Sequence, residues 1–148
     1  MPDTPLPDTP LPDAQPDTLL IAEDDPLLMP LLKATFRTSG LRVLTAGTGP
    51  QALEVARAER PDLLLLDVGL PEMNGYEVCR AIKTDPETAA IRVVMLTARA
   101  GLADQRLADE AGADAYLTKP FSPAELLVTV QSLLQTGQTE QTALETHP

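Results

Sequence analysis

The stretch Pro61-Asp62-Leu63-Leu64-Leu65-Leu66-Asp67-Val68-Gly69-Leu70-Pro71-Glu72-Met73-Asn74-Gly75 decides the fold. Four consecutive leucines with no polar residue between them are what a strand covered on both faces requires. The run stops at a carboxylate, Asp67, and enters a segment whose glycines and proline suit a turn. A strand of this kind delivers one functional group to the carboxyl edge of a parallel sheet. Three other apolar runs end the same way. Thr18–Ala22 is followed by Glu23 and Asp24, Ile91–Leu96 by Thr97, and the run over 114–118 by Lys119.

Outward from these runs the chain alternates. Helical spacing covers 27–38, a strand pattern 42–46, and helical spacing 50–59, where Pro50 suits a first-turn position. Helices over 75–83 and near 103–110 flank the strand at 91–96. The last helix starts at a capping box, Ser122 to Glu125, with Pro123 at the first helical position. Pro30 resists the pattern, because inside a helix it removes a hydrogen bond. Either the first turn is irregular or the regular helix begins near Pro30. The alternation is (βα)₅, a doubly wound α/β fold with helices on both faces of a parallel sheet.

Composition bounds the remaining possibilities. The 148 residues imply one domain, and 43% hydrophobic residues suffice for a core. Only 3% are aromatic and none is Trp, so that core is aliphatic. There is no run of 18 apolar residues to span a membrane and no basic and apolar leader. The single cysteine, Cys79, excludes an internal disulfide and fits a reducing cytoplasm. It reads as a buried helix residue. Net charge is −11; residues 18–135 carry sixteen acids against all eleven bases, a balance of −5. Direct binding to nucleic acid phosphates is not expected of such a domain. Residues 1–17 hold six prolines, four acids and PDTPL twice, which predicts a disordered tail. Residues 136–148, including His147, are polar and are expected to fray.

In open α/β sheets ligands bind beyond the strands' carboxyl ends, where strand order reverses. In the flavodoxin-like order 2-1-3-4-5, a common arrangement that the spacing alone does not dictate, strands one and three flank that point. Adjacent strands lie about 4.8 Å apart, so Glu23, Asp24 and Asp67 would share one crevice, with Thr97 and Lys119 on the next two strands. Two carboxylates about 4 Å apart repel by on the order of 4 kcal/mol at an effective dielectric near 20. A hard divalent cation removes that cost, and an all-oxygen donor set suits Mg²⁺. Lys119 offsets part of the charge without it.

Residues 18–135 resemble a receiver domain of the bacterial response-regulator family. The resemblance rests on Ile21-Ala22-Glu23-Asp24-Asp25, on Asp67 through Gly75, on Leu96-Thr97-Ala98, and on Ala111 through Phe121. Four fragments in order, each at an expected strand end, make it specific. It implies that Asp67 accepts a phosphoryl group from the phosphohistidine of a sensor histidine kinase or a phosphotransfer protein. It further implies Mg²⁺ (or Mn²⁺) on Asp24, Asp67 and the Gly69 carbonyl, with Glu23 holding a metal water. Lys119 and Thr97 would each meet a phosphoryl oxygen, and the small Ala98 would leave room for the donor. Thr97 and Tyr116 would switch the face of helix four, strand five and helix five. The Lys119–Pro120 peptide is cis in similar proteins.

Other positions vary within the family. Gly69 and Arg99 stand where similar proteins tune phosphoryl lifetime, and Thr129 where DNA-binding members often carry an arginine. Thirteen residues follow 135, too few for an output domain, so the expectation is a stand-alone cytoplasmic receiver. It would assist its own phosphotransfer and dephosphorylation without being an enzyme, and would signal to a downstream protein. Two rivals remain beside this reading. One is a degenerate receiver acting as a scaffold independently of phosphorylation. The other is an aspartate-nucleophile phosphohydrolase, which would want a carboxylate at the position of Gly69. The residues also have plainer roles: Asp25 as a cap, Tyr116 as a half-buried structural tyrosine, Lys119 as a surface lysine before a turn.

Overall fold

The computed structural model describes residues 17–98 and 101–146, with the backbone alone over 136–146. The proline-rich segment 1–16, Arg99 and His147 lie outside the described residues. Five strands alternate with five helices: β1 Thr18–Ala22, α1 Leu28–Thr35, β2 Arg42–Ala46, α2 Gly49–Glu59, β3 Leu63–Asp67, α3 Gly75–Thr84, β4 Arg92–Thr97, α4 Leu102–Ala111, β5 Ala115–Thr118 and α5 Pro123–Thr146. The sheet order is β2-β1-β3-β4-β5, and every neighbouring pair is parallel. The (βα)₅ reading and the 2-1-3-4-5 order both hold.

The apolar runs are continuous because the central strands are covered twice. All five residues of β1 and of β3 are buried. Their side chains alternate between two cores. Leu20, Leu64, Leu66, Val93 and Met95 pack with residues of α2, α3 and α4. Leu19, Ile21, Leu63, Leu65, Val94 and Leu96 pack with Leu32 and Phe36 on one side and Leu126 and Val130 on the other, the faces of α1 and α5. The edge strand β2 has only Ala46 buried, which accounts for its weaker pattern.

Helix ends depart from the sequence reading where local chemistry decides them. Pro30 falls in the first turn of α1, whose N-cap is Leu27; an amide there would lack an intrahelical acceptor, so proline costs little. Asp25 does act at this entry: its carboxylate accepts from the Leu27 amide at 2.8 Å. The 27–38 pattern overshoots, because past Thr35 the chain turns with Arg37 N donating to Ala34 O at 3.2 Å. At the start of α5, Ser122 Oγ accepts from the Glu125 amide at 3.0 Å. Its backbone stays helical to Thr146, beyond the frayed end that polarity predicts from 136.

Candidate functional site

The carboxyl edge of the sheet gathers the four strand-end groups. Ala22 pairs with Ala46 on one side and Leu66 on the other, so Glu23 and Asp24 emerge beside Asp67. Three further backbone bonds extend the ladder past the strand ends. Glu23 N donates to Ala46 O at 3.0 Å, Val68 N to Leu96 O at 3.0 Å, and Lys119 N to Thr97 O at 2.7 Å. These bonds fix where each following side chain leaves the sheet. The Lys119–Pro120 peptide is cis.

The loop after Asp67 is held by α3. Gly75 N donates to Val68 O at 2.9 Å. A Cβ on Gly75 would lie 2.6 Å from Asp67 O and 2.8 Å from Val68 Cα, so only glycine lets the helix come this close. Next to it Asn74 and Glu77 form a reciprocal capping box, each side chain accepting from the other's amide at 3.0 Å. Sequence reasoning placed a box at Ser122 and missed this one, although the N-x-x-E spacing was there to read.

Charge is concentrated in the crevice. Glu23 is 2% exposed and Asp67 7%, while Asp24 is exposed. A carboxylate oxygen from each of the three lies within 4.8 Å of the others. Lys119 Nζ donates to Asp67 Oδ1 at 3.1 Å and to Glu23 Oε1 at 3.3 Å. The Asp25 amide donates to Glu23 Oε2 at 3.1 Å. Burial pushes the Glu23 carboxyl above the ordinary glutamate value and the charge of Asp67 adds to it, outweighing the Asp25 amide and Lys119. Burial alone would lower the Lys119 ammonium, but its bonds to Asp67 and Glu23 override this and raise it. Three carboxylates face one ammonium, so the site is short of positive charge, and its hard oxygen donors fit Mg²⁺.

Beside Asp67 opens a cleft of about 500 Å³, lined by Gly69, Thr97, Ala98 and Lys119 among the expected residues. Thr97 is buried and pairs with Thr118. A Cβ on Gly69 would sit 3.8 Å from Asp67 Oδ2, so the missing side chain leaves that flank of Asp67 open. Tyr76, Asp104 and Leu107 also line the cleft, and sequence reasoning did not single them out. Leu107 had a signal in its helical spacing with Ala108 and Ala111 along α4; Asp104 had none. Tyr116 does not line this cleft; it is half-buried against the core on the α2, α3 and α4 face. Cys79 is buried as expected, its thiol donating to Ala111 O at 3.4 Å.

Residues 19–131 match the family model described as the response regulator receiver domain. The chain is a member of this receiver domain family. The receiver is 42% identical over 122 residues to the DNA-binding response regulator MtrA of Mycolicibacterium smegmatis, a match covering 82% of this chain and 52% of MtrA. The chain thus spans about half the length of the curated relatives it matches. Among solved structures, the CheY-like receiver domain protein of Methanospirillum hungatei has a TM-score of 0.79 at 28% identity, covering 85% of this chain and 99% of that one. The receiver domain of sensor histidine kinase PA1611 from Pseudomonas aeruginosa has a TM-score of 0.76 at 32% identity, covering 82% and 99%. That structure holds a magnesium ion in its active site cleft. The receiver belongs to two-component signalling, as a signalling module and not a classical enzyme. Among the described residues no helix is long and apolar enough to cross a membrane.

Proposed function

We propose that this receiver is a phosphorylatable switch in which Asp67 takes a phosphoryl group from a phosphohistidine of a sensor histidine kinase or phosphotransfer protein. The observation that carries the reading is Lys119 bridging Asp67 and Glu23, at 3.1 and 3.3 Å, beside Asp24. A carboxylate is a weak nucleophile, so positioning and charge compensation supply the rate. An Asp67 oxygen attacks phosphorus as the phosphorus–nitrogen bond of the donor breaks, and the imidazole nitrogen keeps the electron pair. Lys119 then turns from Asp67 to a phosphoryl oxygen, and the Thr97 hydroxyl binds another. Ala98 leaves room for the donor, and Gly69 leaves the flank of Asp67 open. Water attack on the acyl phosphate later returns Asp67.

Asp24, Asp67 and the Gly69 carbonyl would hold Mg²⁺ (or Mn²⁺), with Glu23 acting through a water. When bound, the ion compensates charge building on the transferring oxygens. An apolar groove of Leu27, Leu28, Leu31, Pro120 and Phe121 adjoins Lys119. Leu27 and Leu31, one turn apart and 85% and 53% exposed, suit a helical partner presenting the phosphohistidine.

The phosphoryl group adds roughly −1.5 to −2 charges by analogy with other phospho-residues. Thr97 moves toward it and Tyr116 turns inward, and the α4–β5–α5 face changes for a downstream protein. Residues 18–135 form the switching unit. The phosphoryl group shifts an existing equilibrium between two states. The test is incubation with acetyl phosphate or phosphoramidate and Mg²⁺, followed by intact mass. One phosphoryl adduct, lost in Asp67→Asn, is expected. No adduct under any condition points instead to a scaffold independent of phosphorylation, and sustained phosphomonoester turnover to a hydrolase.

A further inference from the structure

We propose that Asp104 is a positioning residue whose fixed charge, on the α4 wall of the cleft, draws a cation in and drives the phosphoryl group out, so setting the lifetime of the phosphorylated state. The proposal rests on the reading of Asp67 as phosphoacceptor. Residues 104, 107, 108 and 111 follow the i, i+3, i+4, i+7 spacing of one helix face. Ala108 and Ala111 on that face are 3% and 2% exposed. Asp104 and Leu107 continue it into the cleft shared with Asp67, Thr97 and Lys119. An acid therefore stands at the cleft end of this face, beside a Leu107 that is 42% exposed.

Helix electrostatics explains part of this. An acid in the first turn favours the amino terminus of α4. An acid at the exposed Ala103 would serve that end equally well, so the dipole does not explain the face. The Asp104 carboxylate folds back over Gly101, with Oδ2 3.3 Å from where a Cβ on that residue would be. It puts a negative charge beside a helix terminus that favours anions, without capping it.

The consequence is a pair of effects of opposite sign. Asp104 and Asp67 line the same cleft of about 500 Å³, and charges within a Debye length, about 8 Å at physiological salt, act on one another. Asp104 attracts a divalent cation entering beside Asp67. It repels the phosphoryl group that later forms there, which carries roughly −1.5 to −2 charges.

Asp104→Asn is the test, with two readouts. Mg²⁺ titration of the unphosphorylated protein, followed by NMR shifts, is expected to show a dissociation constant about 2–5-fold higher. Decay of the adduct after removal of acetyl phosphate is expected to slow by about the same factor. Both effects shrink in 0.5 M KCl, and Asp104→Glu restores wild-type behaviour. Unchanged values, shifts that ignore salt, or affinity and lifetime falling together would overturn the proposal, since a reshaped cleft has no reason to split their signs. If wild type accepts no phosphoryl group, the reading of Asp67 fails, and the Mg²⁺ titration alone still decides whether the Asp104 charge reaches the cleft.

Discussion

Cys79 shows how one buried group ties stability to pH. It is 0% exposed, and burial pushes its thiol from an ordinary 9.0 up to about 11, with smaller effects from Lys83, Asp114 and Arg80. The folded value lies above the unfolded one. Between them the unfolded chain loses this proton and the folded chain keeps it, so stability falls as pH rises. The contribution is intact below 9.0 and lost on passing through about 11. One pKa unit is about 1.4 kcal/mol, which makes the loss on the order of 2–3 kcal/mol. Urea midpoints at pH 8 and pH 11 should separate more in wild type than in Cys79→Ala. Lysines and tyrosines also titrate in this window, but they do so in both proteins and cancel. Equal separations would mean that the thiol is not shielded. The same burial makes Cys79 a poor nucleophile at neutral pH, in keeping with a packing role.

At the scale of elements, the amino terminus of α3 positions Asp67. The Asn74–Glu77 box satisfies two amides there, and losing an N-cap costs about 1 kcal/mol. Asn74→Ala should lower stability by about that much, and Asn74→Asp should not, as urea melts would show. Gly75→Ala acts differently. Its new Cβ meets Asp67 O and Val68 Cα, which are backbone atoms and cannot rotate away. Overpacking of this kind costs about 1–3 kcal/mol, and the strand end must shift. Mg²⁺ affinity is therefore expected to fall in Gly75→Ala but hold in Asn74→Ala; equal affinity in both would show that α3 does not position the site. Such contacts explain what was legible in the sequence. Leu63–Leu66 announced a strand because two-sided burial forces continuous apolarity. Asp67, Thr97 and Lys119 stood out because each interrupts such a run. Asp104 did not, since one acid on a surface helix means nothing until the fold turns it toward a cleft. Strand adjacency was equally hidden: nothing local to Thr18–Ala22 says that its neighbours are β2 and β3.

For the whole molecule, the carboxyl edge is a place where the fold accepts unfavourable charge. The amino edge shows the opposite arrangement. There Asp62 accepts from the Thr18 amide at 2.7 Å and Asp114 from the Val93 amide at 2.8 Å. Lys83 pairs with Asp114 at 2.9 Å while donating to Ile91 O at 2.6 Å. These three charges hold strand starts in place, although Asp17 beside them is pushed up by burial and by the charge of Asp62. At the carboxyl edge Glu23 and Asp67 share Lys119, with the Asp24 carboxylate as a third acid beside them, and this excess of negative charge opposes folding. Two opposed outcomes follow for Asp24→Asn. Without metal the variant should be more stable than wild type, by on the order of 1 kcal/mol for one close like-charge contact removed in wet surroundings. With Mg²⁺ the order should reverse, because a ligand at a hundredfold excess over its dissociation constant stabilises by about 2.7 kcal/mol and the variant has lost a donor. Thermal melts of both proteins, with EDTA and then with Mg²⁺, test this directly. Curves that cross over between the two conditions mean that the edge is built for a cation. An Asp24→Asn protein less stable in EDTA would show that Asp24 serves the fold itself, and the electrostatic case for the site would fail with it.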